Sequence, residues 1–233
     1  MNTFATNPHF SVLYQDEFYV AINKPPGYVV HRSRMHRNAS LVVLQLLRDQ
    51  LKQKVYPIHR LDRKTSGILI FALSSDANKQ LSLQFANRQI DKEYEAIVRG
   101  WTPVGDTIDY ALVNEKGVSQ EAITTYETLQ QFEINLPNGK FETSRYSRIK
   151  LSPKTGRMHQ LRRHMSHIFH PIIGDRPHGC NKQNRLWKQK FEMDTMMLHA
   201  KRLAFTHPYT KNEIKIKAPY FDEFIRVMDI LKP

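Results

Sequence analysis

The sequence predicts an α+β fold built on a mainly antiparallel, mixed central sheet with flanking helices and loops. Three observations carry this. Strand-like segments outnumber helix-like ones and do not alternate regularly with them, which argues against a doubly wound parallel sheet. The run Ile68-Leu69-Ile70-Phe71-Ala72-Leu73 has no polar face, so it belongs inside a sheet rather than at its edge. Apolar residues make up 40% of the 233-residue chain, enough for a real core and for one large domain or one domain with a lobe.

Taken in order, residues 1–9 are polar and read as a flexible N-terminus, with a single domain over 10–233. Residues 10–14 and 18–22 read as two strands of a hairpin, joined at Gln15-Asp16-Glu17. Asn23-Lys24-Pro25-Pro26-Gly27 is a rigid turn, and residues 31–37 form a basic loop. Ser40 is placed to cap a helix over 41–51, with Leu44, Leu47 and Leu51 at helical spacing. Ser74-Ser75-Asp76 starts a second helix whose Ala77, Leu81 and Phe85 face the core. Residues 91–99 read as a strand ending at Gly100, and 105–150 as several shorter strands with a turn at Asn138-Gly139. A third helix spans 157–168, with an apolar stripe of Met158, Leu161, Met165 and Ile168. Arg162 lies at the edge of that stripe; pointing inward, it would need an anion. Residues 181–194 are polar without clear periodicity and read as a loop. A strand over 196–205, a turn over 206–212 and a short strand over 213–217 follow. A helix over 219–231 closes the chain, with Phe221, Phe224, Ile225 and Met228 on one side.

Charge narrows the function. Thirty-five Lys and Arg against 22 Asp and Glu leave a net charge of +13, which points to a polyanionic partner, nucleic acid first. An anionic membrane surface is the competitor, but no long amphipathic basic helix stands out. No stretch reaches about 18 consecutive apolar residues, and the first ten residues lack a signal-peptide layout. The lone Cys180 excludes an internal disulfide framework and fits a reducing compartment. The expectation is a soluble cytoplasmic protein without a membrane partner.

Chemistry concentrates in His59-Arg60-Leu61-Asp62-Arg63-Lys64-Thr65-Ser66-Gly67, directly before the apolar run. A carboxylate there stands at the mouth of a rigid strand, behind a small-residue turn. Flanking positive charge from Arg60 and Arg63 favours its ionised form, ready to act as nucleophile or base. The ordinary reading of Arg-x-Asp-Arg is a solvated ion-pair cluster. Three further stretches accompany it: Lys92-Glu93-Tyr94-Glu95-Ala96, Thr155-Gly156-Arg157-Met158-His159-Gln160-Leu161-Arg162, and His170-Pro171-Ile172-Ile173-Gly174-Asp175. Alone, Tyr94 would be a core aromatic on a strand. His159, His164, His167, His170 and His178 are dense, but neither HExxH nor paired CxxC is present, so no metal is expected.

Together these stretches resemble the HRLDxxTSG, KxYxA, TGRxHQLR and HPIxGD motifs of the RluA-type pseudouridine synthases, over nearly the whole chain. The resemblance implies the pseudouridine synthase catalytic fold without a separate S4-like RNA-binding lobe. It implies that Asp62 is the catalytic carboxylate and that Tyr94 packs on the target base. It implies that an arginine of the third motif pairs with the catalytic Asp: Arg162 from its place on the stripe, with Arg157 as the alternative. Leu198, in a Leu-His-Ala element, lines the uracil pocket or is simply core. His31, Arg32, Arg60, Arg63 and Arg157 are candidate RNA contacts, and Arg60 could stack in the space a flipped base leaves. Details such as Val98-Arg99-Gly100-Trp101 and Gln160-Leu161-Arg162-Arg163-His164 are similar to family members that modify uridine 65 of transfer RNA.

The implied reaction breaks the N-glycosidic bond of uridine, turns the base and reattaches it through C5. It has no redox change and no net atom transfer, so no cofactor is expected. Asp62 would attack the sugar C1′ or remove a sugar proton on a glycal route; both stay open. Ribosomal RNA is the alternative substrate, and a non-catalytic RNA-binding or RNA-folding protein the alternative class. An Asp-based hydrolase would want a second carboxylate or a metal beside Asp62. No protein partner is implied, and a monomer is expected.

Overall fold

The computed structural model describes residues 9–31 and 41–232. Its elements in chain order are β1 (Val12–Gln15), β2 (Tyr19–Lys24), α1 (Val43–Leu51), β3 (Tyr56–Pro57), β4 (Ser66–Ala72), α2 (Ser75–Ala86), β5 (Asp91–Arg99), β6 (Gly105–Asp109), β7 (Leu112–Val113) and β8 (Ser119–Gln120). Then come β9 (Ile123–Ile134), β10 (Ser144–Pro153), α3 (Gln160–His167), α4 (Asn181–Phe191), β11 (Leu198–Thr206), β12 (Glu213–Lys217) and α5 (Asp222–Leu231). This is the α+β class, with antiparallel pairing throughout the ladders described below. The chain divides into two compact units, one over 1–90 and 204–219, the other over 91–203 and 220–233.

In the first unit, β1, β2 and β4 lie side by side, and β3 also pairs with β4. All six residues of β2 and all seven of β4 are buried. That explains the absence of alternation: with both faces covered, neither strand has a solvent side to mark with polar residues. Val43 and Leu47 of α1, and Ala77 and Leu81 of α2, are buried with them. Ser74 caps α2 by accepting from the Ala77 amide. The antiparallel register sets Lys24, the last residue of β2, opposite Gly67 near the start of β4.

In the second unit the strand order is β5-β10-β9-β6. Here the period of two is explicit. Ala96, Val98, Ile149 and Leu151 point to one face, where Leu161 and Met165 of α3 pack. Ile97 and Tyr146 point to the other, against Trp187 of α4 and Phe224 and Val227 of α5. Each of these side chains is less than a tenth exposed, and burial of each large one is worth about 1.5–3 kcal/mol. Residues 171–173 run alongside β5, with Arg99 N donating to Pro171 O and Ile173 N to Ile97 O.

Several elements differ from the sequence reading. Residues 181–191 are helix α4, not loop. Its buried positions are Gln183 and Trp187, one turn apart, and a glutamine hides the stripe from a hydrophobicity count. Gln183 belongs there because its Oε1 accepts from the Tyr146 hydroxyl at 2.7 Å, while Trp187 Nε1 donates to the same hydroxyl at 2.8 Å. Helix α3 starts at Gln160 rather than 157, behind His159 in the left-handed conformation (φ 54°). Gln160 folds back to accept from Thr155 Oγ1 and from the Arg157 amide, which uses 155–159 as a turn instead of a first helical turn. Helix α5 buries Phe224, Val227 and Leu231, whereas Ile225 is exposed. The proposed cap Ser40 lies outside the described residues; α1 begins after Val42, without a side-chain cap.

Candidate active site

The first unit carries the acidic motif on a tight turn. Thr65 N donates to Asp62 O at 3.1 Å, closing a four-residue turn over 62–65 that feeds directly into β4. Asp62 is half-buried, between buried Leu61 and exposed Arg63. A second turn, over 25–28, is tied to it. Gly27 N donates to Arg63 O at 2.8 Å, and Arg63 Nε donates back to Gly27 O at 2.9 Å. Gly27 has φ +94°, a conformation that a side chain would strain.

Lys24 joins the two turns. Its side chain is completely buried. Nζ donates to Pro25 O (2.8 Å), Tyr28 O (3.1 Å) and Arg63 O (3.2 Å), one acceptor for each N–H of an ammonium. Burial pulls its pKa down to about 7, and the charge of Asp62 pulls it part of the way back. Sequence reading gives Lys24 no part beyond the rigid turn. The available signal was a lysine two positions after a buried apolar run and directly before Pro-Pro-Gly, where carbonyls crowd into a small space.

The other first-unit candidates are placed as follows. Arg60 is exposed, and His31 is half-buried. Arg32 lies outside the described residues. His59 stacks on Phe85, with ring centres 5.0 Å apart, and its Nε2 accepts from Ile70 N. Arg63 is in part a structural residue of the turn pair.

The second unit holds Tyr94, Arg157, Arg162 and Leu198. Tyr94 is half-buried on β5, opposite Leu151, and packs on the cluster that contains Leu198. Leu198 is 3% exposed and part of that core. Arg162 points inward and meets the anion that its position demands: Nε lies 2.7 Å from Asp175 Oδ2 and Nη2 2.8 Å from Oδ1. Asp175 ends the His170-to-Asp175 stretch, where Gly174 has φ +79° and a Cβ would collide with Thr195 O. Arg157 is half-buried, and its Nε donates to Glu121 O at 2.9 Å.

The histidines of this unit have protein partners. His164 is fully buried, with Nδ1 3.0 Å from Thr124 Oγ1 and Nε2 3.0 Å from Tyr110 O. A carbonyl only accepts, so Nε2 carries the proton and Nδ1 accepts from the threonine. Burial lowers the pKa of His164. His159 Nδ1 lies 2.9 Å from His178 Nε2, and His170 Nδ1 donates to Arg99 O.

The acidic turn thus leads into the fully buried β4 in the first unit, and the second unit bears the tyrosine and arginine motifs. The chain belongs to the RNA pseudouridylate synthase family, whose model matches residues 18–167. Among its relatives is the tRNA pseudouridine synthase C of Vibrio vulnificus, 48% identical over 218 residues and covering 89% of each chain. The protein of that name from Yersinia pestis is 49% identical, over 89% of this chain and 85% of its own. Two human structures share the fold: RNA pseudouridylate synthase domain containing 4 (25% identity, TM-score 0.74, 95% of this chain and 92% of that one) and domain containing 1 (24%, 0.73, 93% and 85%).

Proposed function

We propose that this protein isomerises uridine to pseudouridine in transfer RNA, at position 65, with Asp62 as the catalytic carboxylate. The observation that carries the reading is the complete His59-to-Gly67 string on a turn held by buried Lys24, in a chain of this family. The names of its relatives support transfer RNA as the substrate. The carboxylate of Asp62 acts on the sugar, the N-glycosidic bond breaks, and the base reattaches through C5. In this reading Tyr94 supports the base, Arg162 is the cation of the third motif, and Arg60, Arg63, Arg157, His31, Arg32 and Leu198 contact the substrate. The target base leaves the RNA stack first, at a cost of a few kcal/mol. The net charge of +13 supplies attraction to the phosphates. The protein acts in the cytoplasm, as a monomer.

The test is a pseudouridine map of bulk tRNA and rRNA incubated with the purified protein. A single new site at tRNA position 65 is expected. A site in rRNA alone would replace the substrate assignment, and RNA binding without any new site would replace the enzyme by a binding protein.

A further inference from the structure

We propose that the cleft between the β7–β8 hairpin and the residues leading into α3 is a subsite for one sugar-phosphate of the RNA backbone. This rests on the RNA reading above and adds a site to it. The cleft has a volume of about 260 Å³ and is lined by Lys116, Arg157 and Arg163, with Val113 and Met158 as apolar walls. Val113 is 50% exposed and Met158 45%, so both surfaces are open to an occupant.

The site is built before any ligand arrives. Asn114 shapes the hairpin tip: its Oδ1 accepts from Lys116 N at 2.9 Å and Val118 N at 3.0 Å, and Gly117 N donates to Asn114 O. Arg163 Nη1 donates to Val113 O at 3.0 Å, and Arg157 Nε donates to Glu121 O at 2.9 Å. The two arginines thus pin both ends of the hairpin segment. Each uses one N–H for this, out of the five a guanidinium carries.

Charge names the ligand. Among the described residues, none of the three cations has a carboxylate within ion-pair distance. Glu115 is the single acid in the lining. Three cations against one acid leave this small cleft positive, which suits a phosphodiester, and the apolar walls suit the sugar attached to it. The volume falls below the usual range for a drug-sized ligand, about 300–1,000 Å³, and so fits one such unit rather than a larger group.

The experiment measures tRNA affinity against salt concentration for the wild type, Lys116→Ala, the double variant Lys116→Ala/Arg163→Ala, and Lys190→Ala as a lysine of α4 outside the cleft. Among the described residues the Lys116 side chain makes no hydrogen bond, so the thermal midpoint of Lys116→Ala should stay at the wild-type value. The slope of log K against log salt is expected to become shallower by about 0.7–0.9 for each phosphate that is no longer neutralised. The subsite holds one phosphate, so the change is at most one such step, partial in Lys116→Ala and complete in the double variant. Lys190→Ala should keep the wild-type slope. A wild-type slope in both cleft variants overturns the subsite and leaves the function intact. An equal change in Lys190→Ala also overturns it, because the effect is then one of net charge. Failure of the wild type to bind tRNA overturns the functional reading itself.

Discussion

Arg162 and Asp175 form a two-pronged ion pair in which the arginine side chain is 8% exposed and the aspartate 1%. Thirteen residues apart in sequence, they fix the geometry of a helix against a turn. Removing one partner of a buried pair costs about 3–5 kcal/mol, because the remaining charge stays in the interior. Asp175→Ala should therefore unfold at markedly lower urea. A well-packed apolar replacement of both partners, Arg162→Met with Asp175→Leu, should recover most of that stability. It should not recover pseudouridine formation, since the functional reading needs the cation. Recovery of both in the double variant would make the pair purely architectural.

Lys24 gives stability a pH dependence with a definite sign. In the folded protein its ammonium loses the proton near pH 7, whereas an ordinary lysine keeps it until 10.5. Between those values the unfolded chain binds more protons than the folded one, so stability rises with pH. Lys24→Met has nothing to titrate there. Urea midpoints from pH 7 to 9.5 should therefore rise more steeply for the wild type than for the variant, and parallel curves would refute the assignment. The variant should also turn over slowly, because the turn carrying Asp62 loses one of its ties.

How much of this was legible in the sequence follows from what each segment hides. The bounds 91–99 and 213–217 agree with β5 and β12, because turn residues flank both. The hairpin of β1 and β2 is equally clear from its spacing. The need of Arg162 for an anion could be read from its place on the helix; that Asp175 supplies it could not, since nothing local links the two. Helix α4 was hidden because its inner face is built from Gln183 and Trp187 rather than a row of leucines. Lys24 was hidden for the opposite reason: a lysine ordinarily means solvent, and only tertiary structure reveals three carbonyls around its nitrogen.

His164 predicts sensitivity to acid. Its pKa in the folded state lies below the ordinary 6.5, chiefly through burial, and His178 is lowered for the same first reason. Below pH 6.5 the unfolded chain then binds protons that the folded chain refuses, so stability falls as pH falls. Protonating His164 Nδ1 would also take away the acceptor of the Thr124 hydroxyl, whose oxygen receives a bond from Gln160 Nε2. The thermal midpoint should drop between pH 7 and pH 5, and His164→Asn should show a smaller drop from a lower start. An identical drop in the variant would place the acid sensitivity elsewhere.

Asp62→Asn separates chemistry from scaffold. The turn over 62–65 is closed by the backbone carbonyl of Asp62, not by its side chain, so the amide should leave the turn in place. Single-turnover pseudouridine formation should fall to background, because an amide neither attacks a sugar carbon nor takes up a proton. Affinity for tRNA should be retained, since losing a negative charge cannot weaken attraction to phosphate. A second consequence lies in Lys24, whose proton Asp62 helps to hold. Without that charge its pKa should fall further, and the alkaline rise in stability should begin at lower pH. Product formation by the variant would remove Asp62 from the chemistry. A shift at Lys24 without loss of turnover would leave it only an electrostatic part.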